Sequence, residues 1–233
     1  METDARIRVA TPVDAAAVRD IYAPFCESTA VTFEETVPAE AELVDRIEST
    51  LEHHPWLVCE VDNAEQSRGN SASSRPVEDE SFQDSASSRT QPGDGEVVGY
   101  AYAGPLRKRR AYEWVVELSV YVADSARRVG VGQALYESLF AVLERQGIRD
   151  AYAVTTVPNP ETERFHERMG FERLVDFPAI GYTQDEWQDV AWWRRPLAEK
   201  SETPERPRPF PAVREDEDWE SLVRTGVDSL DLS

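Results

Sequence analysis

The sequence predicts an α/β fold of the α+β kind, a central mixed β-sheet covered by helices on both faces. Three observations lead there. Strand-like runs of β-branched and aromatic residues alternate with stretches of helical apolar period. Their order is one strand, two helices, three strands, then helix, strand, helix and two strands, which a single mixed sheet accommodates. Glycine or proline punctuates several of the junctions.

The first strand is Arg6–Ala10. Thr11 then caps a helix that has Pro12 at its first position and Asp14 in its first turn. A second helix covers residues 38–53. WLVCEV (56–61) and EVVGYAYAG (96–104) read as two strands of a hairpin whose natural closing pair is Asp62 and Gly95. EWVVELSVYV (113–122) is a long strand. Val131, Leu135, Leu139 and Val142 form the apolar stripe of a helix over about 130–146, which Gly147 ends. AYAVTTV (151–157) is a buried strand, and residues 160–169 form a helix stopped by Gly170. Strands near 171–177 and 187–195 complete the set.

Two segments read differently, so the expected organisation is one domain over 1–198, interrupted at 63–94, with a tail over 199–233. Eight of the 32 residues in 63–94 are Ser, and SASSR occurs twice. Such composition buries too little apolar surface to offset ordering entropy, so a disordered insert at a hairpin tip is expected. The tail opens with the proline-rich stretch ETPERPRPFP and ends in an acidic run. Trp219, Leu222 and Val223 have helical spacing, which fits either a short docked helix or a frayed acidic end.

The formal charge of −20, from 45 acidic and 25 basic residues, argues against a nonspecific nucleic-acid binder, because phosphate binding needs a basic surface. Only Lys108 and Lys200 are lysines. This balance suits a cytoplasm of very high salt, where carboxylates stay hydrated and their repulsion is screened. No apolar run approaches 18 residues and METDARIRVATP has no apolar core, so neither a membrane span nor a secretion signal is expected. Cys26 and Cys59 suggest small buried residues rather than a disulfide framework. His53 and His54 lack further ligands, so no metal site is expected. Trp187, Trp192 and Trp193 belong to a late strand, as core or as a dimer surface.

The most informative junction is ELSVYVADSARRVGVGQAL (117–135), a strand, a turn and a helix start. Gly130 and Gly132 let the backbone approach a ligand, and the first-turn amides with Arg127 and Arg128 favour an anion such as a pyrophosphate. At this point the chain resembles the GNAT acetyltransferase superfamily. TAVTFEETVP (29–38), PWLVCEV (55–61), GYAYAGPLRKRRAYEWVVELSVYV (99–122), RRVGVG (127–132), VPNPETERFHERMGF (157–171) and DVAWWRRPL (189–197) resemble its phosphinothricin/methionine-sulfone N-acetyltransferase branch.

That resemblance implies an acetyl-CoA-dependent enzyme with the GNAT acyl-CoA N-acyltransferase fold, in the cytoplasm, as a homodimer, without metal. An amine must lose a proton before it attacks a thioester, so a base is required. Glu117 matches the branch's base and lies in an apolar strand where desolvation raises a carboxyl pKa; on pattern alone it is equally a solvent-facing carboxylate. ELS replaces the branch's frequent EST, a departure in the neighbouring substrate contacts. His166 matches the residue that protonates the departing thiolate or relays protons from the amine; a lone histidine there is otherwise a half-exposed helix residue. Asn159 corresponds to a pantetheine contact and also suits a helix N-cap. The resemblance assigns cofactor contacts to Val120, Tyr121, Val122, Arg127, Arg128, Val129, Gly130, Val131 and Gly132. The oxyanion donors would be backbone amides from 120 to 122. It assigns substrate contacts to Phe33, Arg109 and Tyr112. RKRRAYEW (107–114) is the one basic cluster, suited to grip a carboxylate or simply to sit in solvent.

The expected reaction is acetylation of the α-amine of a small amino acid or analogue, such as phosphinothricin, methionine sulfone or methionine sulfoximine. The rivals are a transferase for a protein N-terminus or a polyamine, and an acyl-CoA sensor without turnover.

Overall fold

The computed structural model describes residues 5–62 and 95–231; the proposed insert at 63–94 lies outside the described residues. The strands are β1 (Ala5–Val9), β2 (Trp56–Val61), β3 (Glu96–Pro105), β4 (Val115–Val122), β5 (Asp150–Val157), β6 (Glu172–Thr183) and β7 (Glu186–Pro196). The helices are α1 (Ala15–Ser28), α2 (Glu40–Leu51), α3 (Val131–Gln146), α4 (Pro160–Arg168), α5 (Phe210–Val213) and α6 (Trp219–Val223). The element order matches the sequence expectation as far as β7.

One seven-stranded sheet runs β1-β2-β3-β4-β5-β7-β6. Every neighbouring pair is antiparallel except β4 and β5. Val61 pairs with Glu96, so β2 and β3 form the expected hairpin across the 63–94 segment. The last hairpin differs from expectation. β6 and β7 meet at Gln184 and Asp185, both in the left-handed region at φ 53° and 59°. This two-residue turn matches the right-handed twist of its strands. Pro178, which suggests a strand end, is instead absorbed where the β6 register shifts between Phe177 and Gly181.

Strand alternation sends side chains to two cores. Leu57, Cys59, Ala101, Val116, Leu118 and Trp193 pack with α3. Trp56, Val58 and Tyr100 pack with α1 and α2 on the other face. There Trp56 stacks on Tyr102 at 4.3 Å, and Tyr100 stacks on Tyr121 at 5.2 Å. Cys26 and Cys59 are buried free thiols. At the β1–β2 edge Glu60, with no side-chain exposure, accepts from Arg6 at 2.8 Å and Arg8 at 2.6 Å. Arg8 also pairs with Asp14 at 2.8 Å, so this buried carboxylate has its partners.

The tail is docked rather than frayed over 199–231. Arg208 N donates to the Gln146 carbonyl at 2.7 Å, and Trp114 Nε1 to the Glu205 carbonyl at 2.8 Å. Phe210 and Val213 bury themselves beside Val142 of α3, with Trp219 packed edge-on at 5.8 Å. Arg145 of α3 bonds Asp216 at 3.0 Å and Asp218 at 2.5 Å. The helical spacing of Trp219, Leu222 and Val223 is therefore the imprint of packing onto α3. Phe210 is 0% exposed. Replacing it by Ala is expected to lower unfolding free energy by about 3–5 kcal/mol, read from the denaturant midpoint. A tail that merely rested on the surface would leave the midpoint unchanged.

Candidate active site

β4 and β5 pair only through Val115–Asp150, Val116–Ala151 and Glu117–Tyr152. Beyond Glu117 they part, while β4 stays paired with β3 as far as Val122. Ala123 N donates to the Val98 carbonyl at 2.9 Å, which fixes the phase of that ladder. Alternate amides of a strand point to opposite edges. The Tyr121 amide therefore faces β3, and those of Val120 and Val122 face the space that β5 vacates. The parting thus leaves strand amides directed into an opening through the sheet.

A cavity of about 560 Å³ occupies that opening. Its walls include Leu118 to Val122, Ala153 to Thr155, Phe25 and Val31 from the α1 side, and Phe165 and His166 from α4. It therefore reaches both faces of the sheet. At one end stands the turn before α3. Arg128, at φ 66°, and Gly130, at φ 88°, bend the chain so that the first turn of α3 opens on the cavity. The first intrahelical bond runs from Ala134 N to Gly130 O, which leaves the amides of Val131, Gly132 and Gln133 for an anion. Arg127 is tied to Asp124 at 2.8 Å and lies over Phe25.

The structure brings most of the expected cofactor residues together here. Val120, Tyr121, Val122, Arg127, Arg128, Gly130, Val131, Gly132 and Asn159 all line the cavity. Val129 is not among the lining residues: its side chain packs against the α3 core and its carbonyl accepts from Asp231 N at 3.0 Å. Asn159 caps α4, its side chain accepting from Thr162 N at 3.3 Å.

His166 is 4% exposed and lies on the α3 side, stacked on Trp193 at 5.8 Å and edge-on to Phe171. Its Nδ1 is 2.9 Å from the Thr162 carbonyl, which can only accept. Nδ1 therefore carries the proton of the neutral ring, and the buried Nε2 is left as an acceptor with no partner among the described residues. Burial moves its pKa down to about 4, against a smaller upward pull from the Thr162 bond. Near neutral pH the ring is therefore uncharged with its free nitrogen an acceptor, a state that suits a proton relay better than donation to a thiolate.

Glu117 lies on the other face, since its neighbours Val116 and Leu118 point into the α3 core. Half-buried, its carboxyl is raised above the ordinary value of 4.5 by desolvation, weakly opposed by Arg107. Around it stand Tyr102, hydrogen-bonded to Ser119, and Tyr152, its partner in the β4–β5 register. The Arg107 guanidinium lies 5.2 Å from the centre of the Trp192 ring. Phe33, at φ 54° in the α1–α2 loop, packs against Gly181 of β6. That loop is pinned by Arg46 to Glu34 at 2.8 Å.

Glu117 and His166 are thus on opposite faces; His166 lines the cavity, and Glu117 stands in the last β4–β5 pair, just outside its lining. Arg109 and Tyr112 do not line the cavity between the strands. With Arg107, His53, His54 and Arg208 they line a separate depression of about 280 Å³. The cation whose field reaches Glu117 is Arg107, a residue that loop spacing alone does not distinguish from its neighbours. Among the described residues no cluster of three or more His, Cys, Asp or Glu could hold a metal, and no helix is long and apolar enough to cross a membrane.

Comparisons with known proteins agree with this fold. A family model described as an acetyltransferase (GNAT) domain matches residues 90–192. The phosphinothricin N-acetyltransferase of Streptomyces viridochromogenes is 34% identical over 207 residues, covering 89% of this chain and 93% of that protein. The L-methionine sulfoximine/L-methionine sulfone acetyltransferase of Pseudomonas paraeruginosa is 34% identical over 98 residues, covering 42% of this chain and 57% of that protein. A crystal structure of a GNAT superfamily phosphinothricin acetyltransferase from Sinorhizobium meliloti, in complex with acetyl-CoA, superposes with a TM-score of 0.68. It is 29% identical and covers 88% of this chain and 93% of that one.

The state of His166 has a direct readout. Its ring protons are expected to titrate near pH 4 by NMR rather than near 6.5. Because the unfolded chain takes up this proton at higher pH, stability falls as pH drops from about 6.5 toward 4. A titration near 6.5 would mean that the ring is solvated.

Proposed function

The chain belongs to the GNAT acetyltransferases, and from that premise we propose that it acetylates the α-amine of a small amino acid or analogue of the phosphinothricin or methionine sulfone type. The observation that carries the reading is a cavity between the parted strands that opens on an anion-binding helix start, with the half-buried carboxyl of Glu117 at the last β4–β5 pair before the strands part. The donor set suits acetyl-CoA. The α3 amides and Arg128 would hold the pyrophosphate, the Val120 and Val122 amides would pair with the pantetheine arm, and the buried Nε2 of His166 offers an acceptor beside it. Acetyl-CoA, when bound, supplies the acetyl group as a thioester.

The residues of this chain then have separable tasks. Glu117 takes a proton from the ammonium group, a task for which its raised pKa suits it. Strand amides facing the gap stabilise negative charge on the carbonyl oxygen as it develops. At neutral pH His166 is uncharged and accepts a hydrogen bond from the cavity through Nε2. Arg107, on the Glu117 side, holds the substrate carboxylate, with Phe33 covering the side chain. Arg109 and Tyr112 are left without a place in this scheme. A polyamine has no carboxylate for Arg107, whose charge would oppose it.

The same reading includes a homodimer and a cytoplasmic, high-salt setting. Exposed Leu174, Val175, Ile180, Tyr182 and Trp187 on β6 and β7 form an apolar edge of the kind that a second copy covers. Two buried free thiols suit a reducing compartment.

The test is thiol release from acetyl-CoA with a panel of free amino acids and analogues in molar salt. Glu117→Gln is expected to lower kcat by about 10²–10⁴ while acetyl-CoA binding stays within about twofold. In the wild type the acidic limb of the rate profile should lie above 4.5, and the variant should lose it. Turnover unchanged in the variant would remove Glu117 as the base.

A further inference from the structure

We infer that Gly226–Asp231, the end of the docked tail, is a positioning element for the acetyl-CoA loop; this rests on the proposed function. The front of Gly130 to Gln133 lines the cavity, and the tail holds the same residues from behind. Asp231 N donates to the Val129 carbonyl at 3.0 Å. A Cβ on Gly130 would lie 2.1 Å from the Ser229 carbonyl oxygen, so the tail occupies the place that this glycine leaves. The Ser229 hydroxyl donates to Glu137 at 2.6 Å and accepts from Gln133 at 3.3 Å, fixing the first two turns of α3. One turn further along, Gly226 N donates to Ser138 Oγ at 3.0 Å.

Three features make this more than packing. Arg128 and Gly130 are both left-handed, so the loop must be held in shape by its surroundings. The hydrogen bond at Val129 and the Ser229 contact at Gly130 fall between the residues whose amides and guanidinium face the anion. The tail is also anchored independently, by Phe210, Val213 and Val223, so its last residues can act on the loop without carrying the fold. Gly130, which in the sequence reads as room for a ligand, is by this geometry room for the tail.

Gly226 is the lever that tests this. A Cβ there would stand 1.9 Å from the Ala134 carbonyl oxygen, so Gly226→Ala must lift the tail end off α3 while its upstream anchors remain. In the full chain this substitution is expected to raise the acetyl-CoA KM and the calorimetric Kd about tenfold. The kcat and the amine KM should stay within about twofold. A folded variant with acetyl-CoA Kd and KM unchanged overturns the inference. Linkage gives a second readout on the wild type. If the tail end favours CoA binding, saturating CoA must slow amide exchange at Ser229 and Asp231 by the same factor of about ten. Unchanged exchange there overturns the inference even if Gly226→Ala fails to fold. A wild type that binds no acetyl-CoA removes the functional reading, and the tail inference with it. A wild type that binds while both readouts stay flat removes the tail inference alone.

Discussion

Two parallel strands that part after three residue pairs are the constraint on which the rest of this molecule depends. Had β4 and β5 stayed paired to their ends, the amides of Val120 and Val122 would be spent in a ladder and the sheet would be closed. Parting costs those hydrogen bonds, and an unpaired buried amide is unfavourable by about 1–3 kcal/mol. The opening is kept by what stands on either side. β4 is held to β3 as far as Val122, and β5 is held to β7 along its whole length. Each strand is therefore fixed by its outer neighbour while the inner edges diverge. The helix start at Gly130 and the cap at Asn159 follow the ends of these two strands, so their amides open on the same space.

Much of this was legible in the sequence, for physical reasons that differ by element. The strand and helix order followed from apolar period, because most elements bury one face or both. The β2–β3 hairpin was legible across 63–94 because Asp62 and Gly95 suit a turn. β6 and β7 extend beyond the limits their sequence suggests. Their turn is Gln184–Asp185, with no glycine to mark it, and Pro178 looks like a strand end although a register shift absorbs it. The tail helix is ambiguous in sequence because Trp219, Leu222 and Val223 carry a period but not the partner that explains it.

The site was legible at its backbone and less so at its side chains. The RRVGVG turn joins the end of β4 to the start of α3, so eight of the nine contacts expected along 120–122 and 127–132 line the cavity. Val129 does not, because long-range packing with the tail turns it inward. Arg107 and Arg109 share one loop, one chemistry and one depression, and only the fold shows that the field of Arg107 reaches Glu117. The protonation of His166 depends on a carbonyl one helical turn earlier and on the rings around it. Position in the sequence suggests a functional histidine, but only the folded surroundings make it an acceptor. The acid excess, by contrast, says little about the site: the cations that matter lie in a stretch, 95–198, whose 15 acidic and 13 basic residues nearly balance.

The central claim is that the gap between β4 and β5 receives the thioester arm. Amide exchange at Val120, Tyr121 and Val122, measured with and without saturating acetyl-CoA, tests it most directly. The Val120 and Val122 amides face the gap and should slow by at least about tenfold, while Tyr121, committed to the β3 ladder, should not change. Saturating acetyl-CoA that leaves Val120 and Val122 exchanging as before would contradict the account.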